Sequence, residues 1–506
     1  MTLKLVRLAA GVSLAALAAA SVASAQTLAN PVTPAVTDAA EKPPEPLGNF
    51  LRPRAGVQAA VTDNVTSATS NEKSDIVSRF TVGADARYES PRSHFNLSGD
   101  VFYDVYAETK KFDTLAYRGT ADAAIVLVPD VLALEAAGVR TQGSLTTFGT
   151  TDFFRSANAN DYQLGTYYVG PHVTFSPGVL DVSAAARYSQ VFYEGPKSTT
   201  FQNLSPETSQ YQLIGAADTK DRLGKYRFVG SAQYQEDDAA FQSTSGSASN
   251  FFDVNDRFTA IARVGYDDLK LSNTINLNAP FWSLGGQYVL NERANLRLEG
   301  GQRYDRAYWS GTATARLSRV TYLFADYSNT LAPGAFAVNN VLVDYVGKLN
   351  EPLPIPIAPP PFSLNNNFYN QPSINRSGSV RALFDFGRQS VDVAYTSVQQ
   401  RFLTATAQSR TQSQSVTYTN LLRPDLTVSL GFLHAAERVG GQLVGGATAD
   451  RRGSYYLTTA RAEYHLNRRT TLTAMYQNRQ YRPSAITLLQ EFDENIASIA
   501  LVRQFR

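Results

Sequence analysis

From about Pro53 to Phe505 the chain repeats one pattern: a run of alternating apolar and polar side chains, then a turn, then another run. Phe95, Leu97, Val101, Tyr103 and Val105 take one side, and Asn96, Ser98, Asp100 and Asp104 take the other. Far downstream, Leu426, Val428, Leu430 and Phe432 alternate with Thr427, Ser429 and Gly431. Successive side chains of a strand point to opposite faces, so each run builds a surface apolar on one side and polar on the other. Roughly twenty such runs, each about ten residues long and with no helical periodicity between them, predict an all-β fold. That fold is a transmembrane, antiparallel, up-and-down β-barrel.

The N-terminus carries Lys4 and Arg7, an apolar stretch from Leu8 to about Ala20, and Ala23-Ser24-Ala25 before Gln26. This is the pattern of a secretory signal peptide over residues 1–25, to be set aside in fold reasoning. Residues 26–49 hold Pro31, Pro34, Pro43, Pro44 and Pro46 and read as an extended periplasmic leader, too short for a plug domain. Residues 50–506 would then form the barrel.

Composition narrows the function classes. The sequence contains no Cys, which excludes disulfides, lipoprotein anchoring, Cys nucleophiles and Cys-ligated metals. The 46 basic residues less Lys4 and Arg7 leave 44 against 44 acidic ones, so the mature chain is formally neutral and carries no signal for nucleic acid. Tyr and Phe stand at 27 each, as expected where aromatic girdles mark both membrane interfaces.

Turn chemistry gives the hairpins. The first strand reads as about Pro53–Val65 and the second as Ile76–Glu89. Tight connections carry Pro, Gly, Asp or Arg, as in Ser90-Pro91-Arg92, Val128-Pro129-Asp130, Phe386-Gly387-Arg388 and Arg423-Pro424-Asp425. Long polar connections are predicted at about 143–160, 194–207, 268–279, 403–411, 438–453 and 482–491. In outer-membrane barrels short turns face the periplasm and long loops face outward, which places both termini in the periplasm. An even strand number follows. The count is about 22 if a weakly patterned strand lies near 242–254, with 18 and 20 as alternative counts.

Residues 332–371 break the rhythm, with Pro333, Pro352, Pro354, Pro356 and Pro359-Pro360-Pro361, and read as a long loop that enters the lumen, covers the mouth or is a mobile surface loop. The last strand, Phe492–Phe505, places Ile499, Leu501 and Phe505 on one face, like the C-terminal signal read by the barrel-insertion machinery.

No catalytic, cofactor or metal motif emerges. The 4 His residues, His94, His172, His434 and His465, fall in different hairpins without a nucleophile at triad spacing. The acidic clusters Glu236-Asp237-Asp238 and Tyr266-Asp267-Asp268 read as solvated charge at extracellular strand ends. Candidate lumen-lining residues are Arg79, Asp85, Arg87, Asp100, Asp104, Asp122, Arg297, Glu299, Arg303, Asp305, Arg461, Glu463 and Arg479. Their mixed signs suit a hydrated pore without strong ion preference, or a salt-bridged filler. Phe102 and Tyr106 join the inward face near its outer end, where they could stack on sugar rings.

Four local patterns carry a resemblance: Thr62-Asp63-Asn64-Val65, Arg263-Val264-Gly265-Tyr266-Asp267, Gly300-Gly301-Gln302-Arg303-Tyr304 and Phe492-Asp493-Glu494-Asn495. In this order the set resembles the outer-membrane β-barrel proteins associated with PEP-CTERM/exosortase and exopolysaccharide systems, akin to the β-barrel porin 2 group. The resemblance implies a Gram-negative outer-membrane location and a link to envelope polysaccharide export or surface-protein sorting, and it brings no catalytic residues. The expected partners are outer-membrane lipid and lipopolysaccharide, the insertion machinery, and polysaccharide or small polar solutes. The expected function is a porin-like channel; the rivals are a non-conducting structural barrel, a plugged receptor and an outer-membrane enzyme.

Overall fold

The computed structural model describes residues 49–66, 72–144, 161–194, 207–238, 241–271, 275–291, 293–304, 306–332, 373–402, 408–442, 448–483 and 491–505. The signal peptide, nearly all of the leader, Asp305 and residues 333–371 of the long loop lie outside the described residues.

Twenty-two strands follow one another along the chain. They are β1 (Phe50–Thr62), β2 (Asp75–Glu89), β3 (Ser93–Tyr106), β4 (Thr114–Val128), β5 (Leu132–Ser144), β6 (Asp161–Phe175), β7 (Asp181–Glu194), β8 (Glu207–Asp218), β9 (Tyr226–Asp237), β10 (Phe241–Asn255) and β11 (Phe258–Leu271). The second half holds β12 (Ile275–Asn291), β13 (Ala294–Arg303), β14 (Arg306–Arg316), β15 (Thr321–Ala332), β16 (Ser373–Asp385), β17 (Gln389–Phe402), β18 (Gln408–Arg423), β19 (Leu426–Gln442), β20 (Thr448–Asn467), β21 (Thr470–Pro483) and β22 (Phe492–Gln504).

Each strand pairs antiparallel with its neighbours in sequence, and β1 pairs with β22 from Arg54↔Gln504 to Thr62↔Ile496. The single sheet therefore has no edge. That closure pairs every strand on both sides within the sheet, the condition for crossing a hydrocarbon layer. Because the number is even, the start of β1 and the end of β22 share one rim.

The pleat sorts side chains as the alternation predicts. Val57, Phe80, Val82, Leu213, Val264, Trp282, Leu284 and Trp309 are exposed on one face, while Asp104, Gln210, Ser283 and Asn375 are buried on the other. The polar face is concave, because side chains two strands apart meet across it: Arg54 on β1 reaches Asp100 on β3, and Arg303 on β13 reaches Asp267 on β11.

The structure redraws several boundaries. The first strand runs Phe50–Thr62 rather than Pro53–Val65. Asp63–Val65 leave the β2 ladder because Asn64 Nδ2 donates to the Asp493 carbonyl (2.8 Å) and Val65 N–H donates to the Lys73 carbonyl (2.8 Å). The weakly patterned segment near 242–254 is a fully paired strand, β10, between β9 and β11. Much of 268–279 and 438–453, and the parts 408–411 and 482–483 of two further expected loops, continue as β11, β12 and β18–β21. The reason is visible in Arg410, Thr411, Gln412, Ser413 and Gln414. Polar residues on both faces erase the alternation, yet the backbone ladder runs on past the apolar band.

At the rim shared by the termini all connections are short, and glycine is needed where the turn demands a positive φ. Gly387 (φ 81°) is such a position, its N–H received by Asp385 Oδ1 at 2.8 Å. Inside the wall Gly301 serves a different purpose, since a Cβ there would sit 1.9 Å from the Trp282 carbonyl oxygen. Gly301→Ala should therefore destabilise the barrel by about 1–3 kcal/mol, whereas Gly215→Ala, which meets nothing within 4 Å, should not. The midpoint of heat-modified electrophoretic mobility measures both.

Candidate functional site

The candidate functional surface is the concave wall, built by every second residue of each strand. Twelve of the thirteen sequence-derived lumen candidates are described, and each falls at an inward position. They are Arg79, Asp85 and Arg87 on β2, Asp100 and Asp104 on β3, Asp122 on β4, Arg297, Glu299 and Arg303 on β13, Arg461 and Glu463 on β20, and Arg479 on β21.

These charges form local clusters lying along the wall. Near β1–β4, Arg54 Nε donates to Asp100 Oδ1 (2.7 Å) and also pairs with Asp85, Arg118 Nε approaches Asp100 Oδ2 (3.3 Å), and Ser98 Oγ donates to Asp85 (2.7 Å). Gly83 makes room for this crossing, because a Cβ there would lie 2.2 Å from Asp100 Oδ1. Nearer the far rim, Arg79 grips Asp104 through two bonds of 2.7 and 2.8 Å, with Asp104 fully buried. Such a bidentate fork fixes both side chains.

On β3–β7, Asp122 receives Asn96 Nδ2 (3.0 Å) and faces His94 Nε2 (3.3 Å), while Glu135 pairs with His172 (2.8 Å) and Arg187 (3.8 Å). Farther round, Glu299 sits between Arg297 (2.6 Å) and Arg263 (3.7 Å), with Ser283 Oγ donating at 3.2 Å. Arg381 Nε donates to both oxygens of Asp392 at 2.9 Å. Arg479 lies 3.6 Å from Glu494, and Arg461 pairs with Glu463 at 2.6 Å. Arg87 pairs with Glu89 at 2.9 Å.

Sequence reasoning passed over Arg54, Glu135, Arg187, Arg263, Arg381 and Asp392. The signal was present: Arg381 sits between Val380 and Ala382, and Asp392 between Val391 and Val393, each the polar member of an alternating run. Two other expectations need correction. Asp267 is not solvated loop charge; it lies within β11, is buried, and is held by Arg303 at 2.7 and 3.0 Å. Phe102 and Tyr106 present no open face to a sugar. Arg79 covers Phe102 at 4.3 Å from the ring centroid, and Tyr106 is fully buried with Phe112 edge-on at 5.9 Å.

The histidines are dispersed. His94 and His172 face carboxylates, and His434 stacks on Tyr456 on the outward side (4.7 Å). His465 touches Thr471 Oγ1 (3.1 Å) and lies 3.6 Å from Glu463. Among the described residues no cluster of three or more His, Asp or Glu could hold a metal ion.

The four motifs that carry the family resemblance meet in space as two pairs. At the seam, Asn495 N–H and Nδ2 donate to the Asp63 carboxylate at 2.7 Å each, Asp63 N–H donates to the Asn495 carbonyl (3.2 Å), and Thr62 Oγ1 donates to Glu494 (2.9 Å). The first motif is thus latched to the last across 432 residues of sequence. The middle two join through Arg303 and Asp267, with the Arg303 guanidinium 4.7 Å from the Phe281 ring centroid.

No protein-family model matches the chain, and no curated protein matches its sequence. Its fold is similar to that of the siderophore receptor PirA from Acinetobacter baumannii, with a TM-score of 0.53 and 9% identity over 90% of this chain and 80% of that one. It is also similar to the FrpB iron transporter from Neisseria meningitidis, with a TM-score of 0.52 and 12% identity over 90% and 82% of the two chains. At such identities the likeness is one of architecture, a closed antiparallel transmembrane barrel.

Removing half of a buried pair should cost far more than removing both halves. Arg79→Met, which strands the Asp104 carboxylate, should lower stability by about 3 kcal/mol, and Arg79→Met/Asp104→Leu should recover most of that loss. A double-mutant cycle on urea unfolding measures the difference.

Proposed function

We propose that the chain is a porin-like channel of the Gram-negative outer membrane, with both termini in the periplasm, a cleaved signal peptide at 1–25 and a non-enzymatic role. The fold similarity to a siderophore receptor and an iron transporter supports this location and a transport role. The observation that carries the reading is the charge-compensated polar wall. At strand spacings of about 4.8 Å and tilts near 40°, 22 strands enclose a bore roughly 40 Å across between backbones, too wide for wall side chains to fill. The ion pairs named above join strands at most two apart, so they lie along the wall and do not bridge it.

Fixed charge of both signs keeps the path wet and lowers the barrier for polar solutes without selecting one sign. Arg54, Arg79, Asp85, Arg87, Asp100, Asp104, Asp122, Arg297, Glu299, Arg303, Arg461, Glu463 and Arg479 are the lining residues of this reading. The link to envelope polysaccharide export or surface-protein sorting rests on the resemblance carried by the four sequence motifs.

Purified protein in planar bilayers should give steady openings, and deletion of 335–370 should raise the conductance if that loop narrows the lumen. Silence from both forms would favour a closed structural barrel. Asp85→Asn/Asp100→Asn leaves Arg54 and Arg118 uncompensated and should shift selectivity toward anions by roughly twofold, read from the reversal potential in a KCl gradient. Orientation has its own test. The chain has no Cys, and a Cβ at Gly440 meets nothing within 4 Å. Gly440→Cys should react with an impermeant maleimide on intact cells.

A further inference from the structure

Three of the 4 histidines face the lumen, and all three lie at the rim shared by the termini. His94 is one residue from the start of β3, His172 three from the end of β6 and His465 two from the end of β20. At about 3.3 Å per residue, each stands within roughly 10 Å of that rim. Their inward sense follows from the pleat: His94 shares a face with Asp100 and Asp104, His465 shares one with Arg461 and Glu463, and His172 meets Glu135. They occupy one arc of the mouth, from β20 through the seam to β6.

Each imidazole stands beside a carboxylate. His94 Nε2 lies 3.3 Å from Asp122, His172 Nδ1 2.8 Å from Glu135 and His465 Nε2 3.6 Å from Glu463. The register joins the first two pairs into one group. Glu89, His94, Ala124 and Glu135 form a single cross-strand row over β2–β5, and only the short Ala124 side chain separates His94 from Glu135 in it. Arg87 on β2 pairs with Glu89 (2.9 Å), and Arg187 on β7 lies 3.8 Å from Glu135. Asp181, lower on β7, is taken by Lys220 and Arg222 from the β8–β9 connection. Around His465, Glu463 holds Arg461 (2.6 Å), Arg423 holds Asp425 (2.9 Å) at the β18–β19 turn, β21 presents Thr471, and Arg468 and Arg469 form the turn that follows β20.

Protonation sets the sign of the charge on this arc. The groups next to the imidazoles are three arginines, Arg87, Arg187 and Arg461, and four carboxylates, Glu89, Asp122, Glu135 and Glu463. With neutral histidines they leave one net negative charge, and with all three histidines protonated two net positive ones. Imidazole is the side chain that ordinarily changes charge between pH 5 and 8, whereas carboxylates and guanidinium groups ordinarily keep theirs across that window. His94 and His465 are half-exposed, so the pH of the aqueous path acts on them directly. The wall from β7 to β19 adds no inward histidine, because His434 stacks on Tyr456 on the outward face.

We infer that this arc is an ion-selectivity site of the pore whose sign follows pH: it favours cations when His94, His172 and His465 are neutral and small anionic solutes when they are protonated. The inference rests on the channel reading proposed above. Fixed charge beside an aqueous path biases which ion enters. The bias reaches about 10 Å from the wall at 0.1 M salt and about 30 Å at 10 mM, so in dilute salt it extends well into a bore of this width. Placement at one mouth lets the arc act where solutes enter or leave, and the balanced pairs deeper in the wall, such as Arg79–Asp104 and Arg303–Asp267, do not oppose it.

Full-length protein in planar bilayers, with about 10 mM KCl facing about 100 mM, reads the site through its reversal potential at about pH 8 and about pH 5.5. The chloride-to-potassium permeability ratio of the wild type should rise about two- to threefold on acidification, and that of H94Q/H172Q/H465Q by less than about 1.3-fold. H94R/H172R/H465R carries the charge at every pH and should show the acid ratio at both. H434Q should behave as the wild type. Near 1 M salt, where screening shortens to about 3 Å, the wild-type pH dependence should fade. Heat-modifiable mobility confirms that each variant is folded. A wild-type ratio indifferent to pH, a glutamine variant that keeps the full pH dependence, or an arginine variant equal to wild type at pH 8 would overturn the inference while leaving the channel standing. Silence of every form at both pH values would instead sink the channel reading, and the selectivity site with it.

Discussion

Closure of the ladder governs everything else in this molecule. A backbone N–H or C=O without a partner in hydrocarbon costs several kcal/mol, and an open sheet of this size would expose two whole edges. Pairing β1 with β22 removes both. It also brings together the segments farthest apart in sequence, where Asp63, Asn64, Glu494 and Asn495 replace ladder bonds at the point where β1 leaves the sheet. The latch is made of short polar side chains that bond to backbone groups, the residue types suited to ending a strand without leaving its carbonyls bare.

Closure also fixes what charge can do inside. On a concave surface neighbouring side chains converge, so an arginine on one strand reaches a carboxylate two strands away, as Arg54, Arg187, Arg263 and Arg303 do. The result is a wall whose charges are neutralised locally and kept beside the backbone. On the convex face side chains diverge, and the register sets Arg410, Arg438 and Arg452 opposite one another across β18–β20.

Much of this was legible in the chain. Alternation with period two assigned the inward face at Arg79, Asp104, Glu299 and Arg479 because pleat parity depends on spacing alone. Turn chemistry placed the hairpins, and parity of strand number recovered β10, whose outward Thr244, Gly246, Ala248 and Asn250 give almost no hydropathy signal. Where both faces are polar, as in Arg410 to Gln414, the pattern disappears although the ladder continues, and the segment reads as loop. Asp267 and Phe102 were misread for a related reason. A residue's neighbours across the sheet, not along the chain, decide whether it is solvated.

The sequence by itself determined the kind of object: a strand-built membrane wall, apolar outward and charged inward, with an even number of staves. Those properties follow from local periodicity, which one strand carries without knowing its neighbours. Only the tertiary structure decided register. It set Arg303 against Asp267 and Asp63 against Asn495, and it aligned Arg410, Arg438 and Arg452 in one row. Register is a relation between strands, summed over ladder bonds and turn lengths. A shift of two residues would preserve every face while breaking each of these contacts.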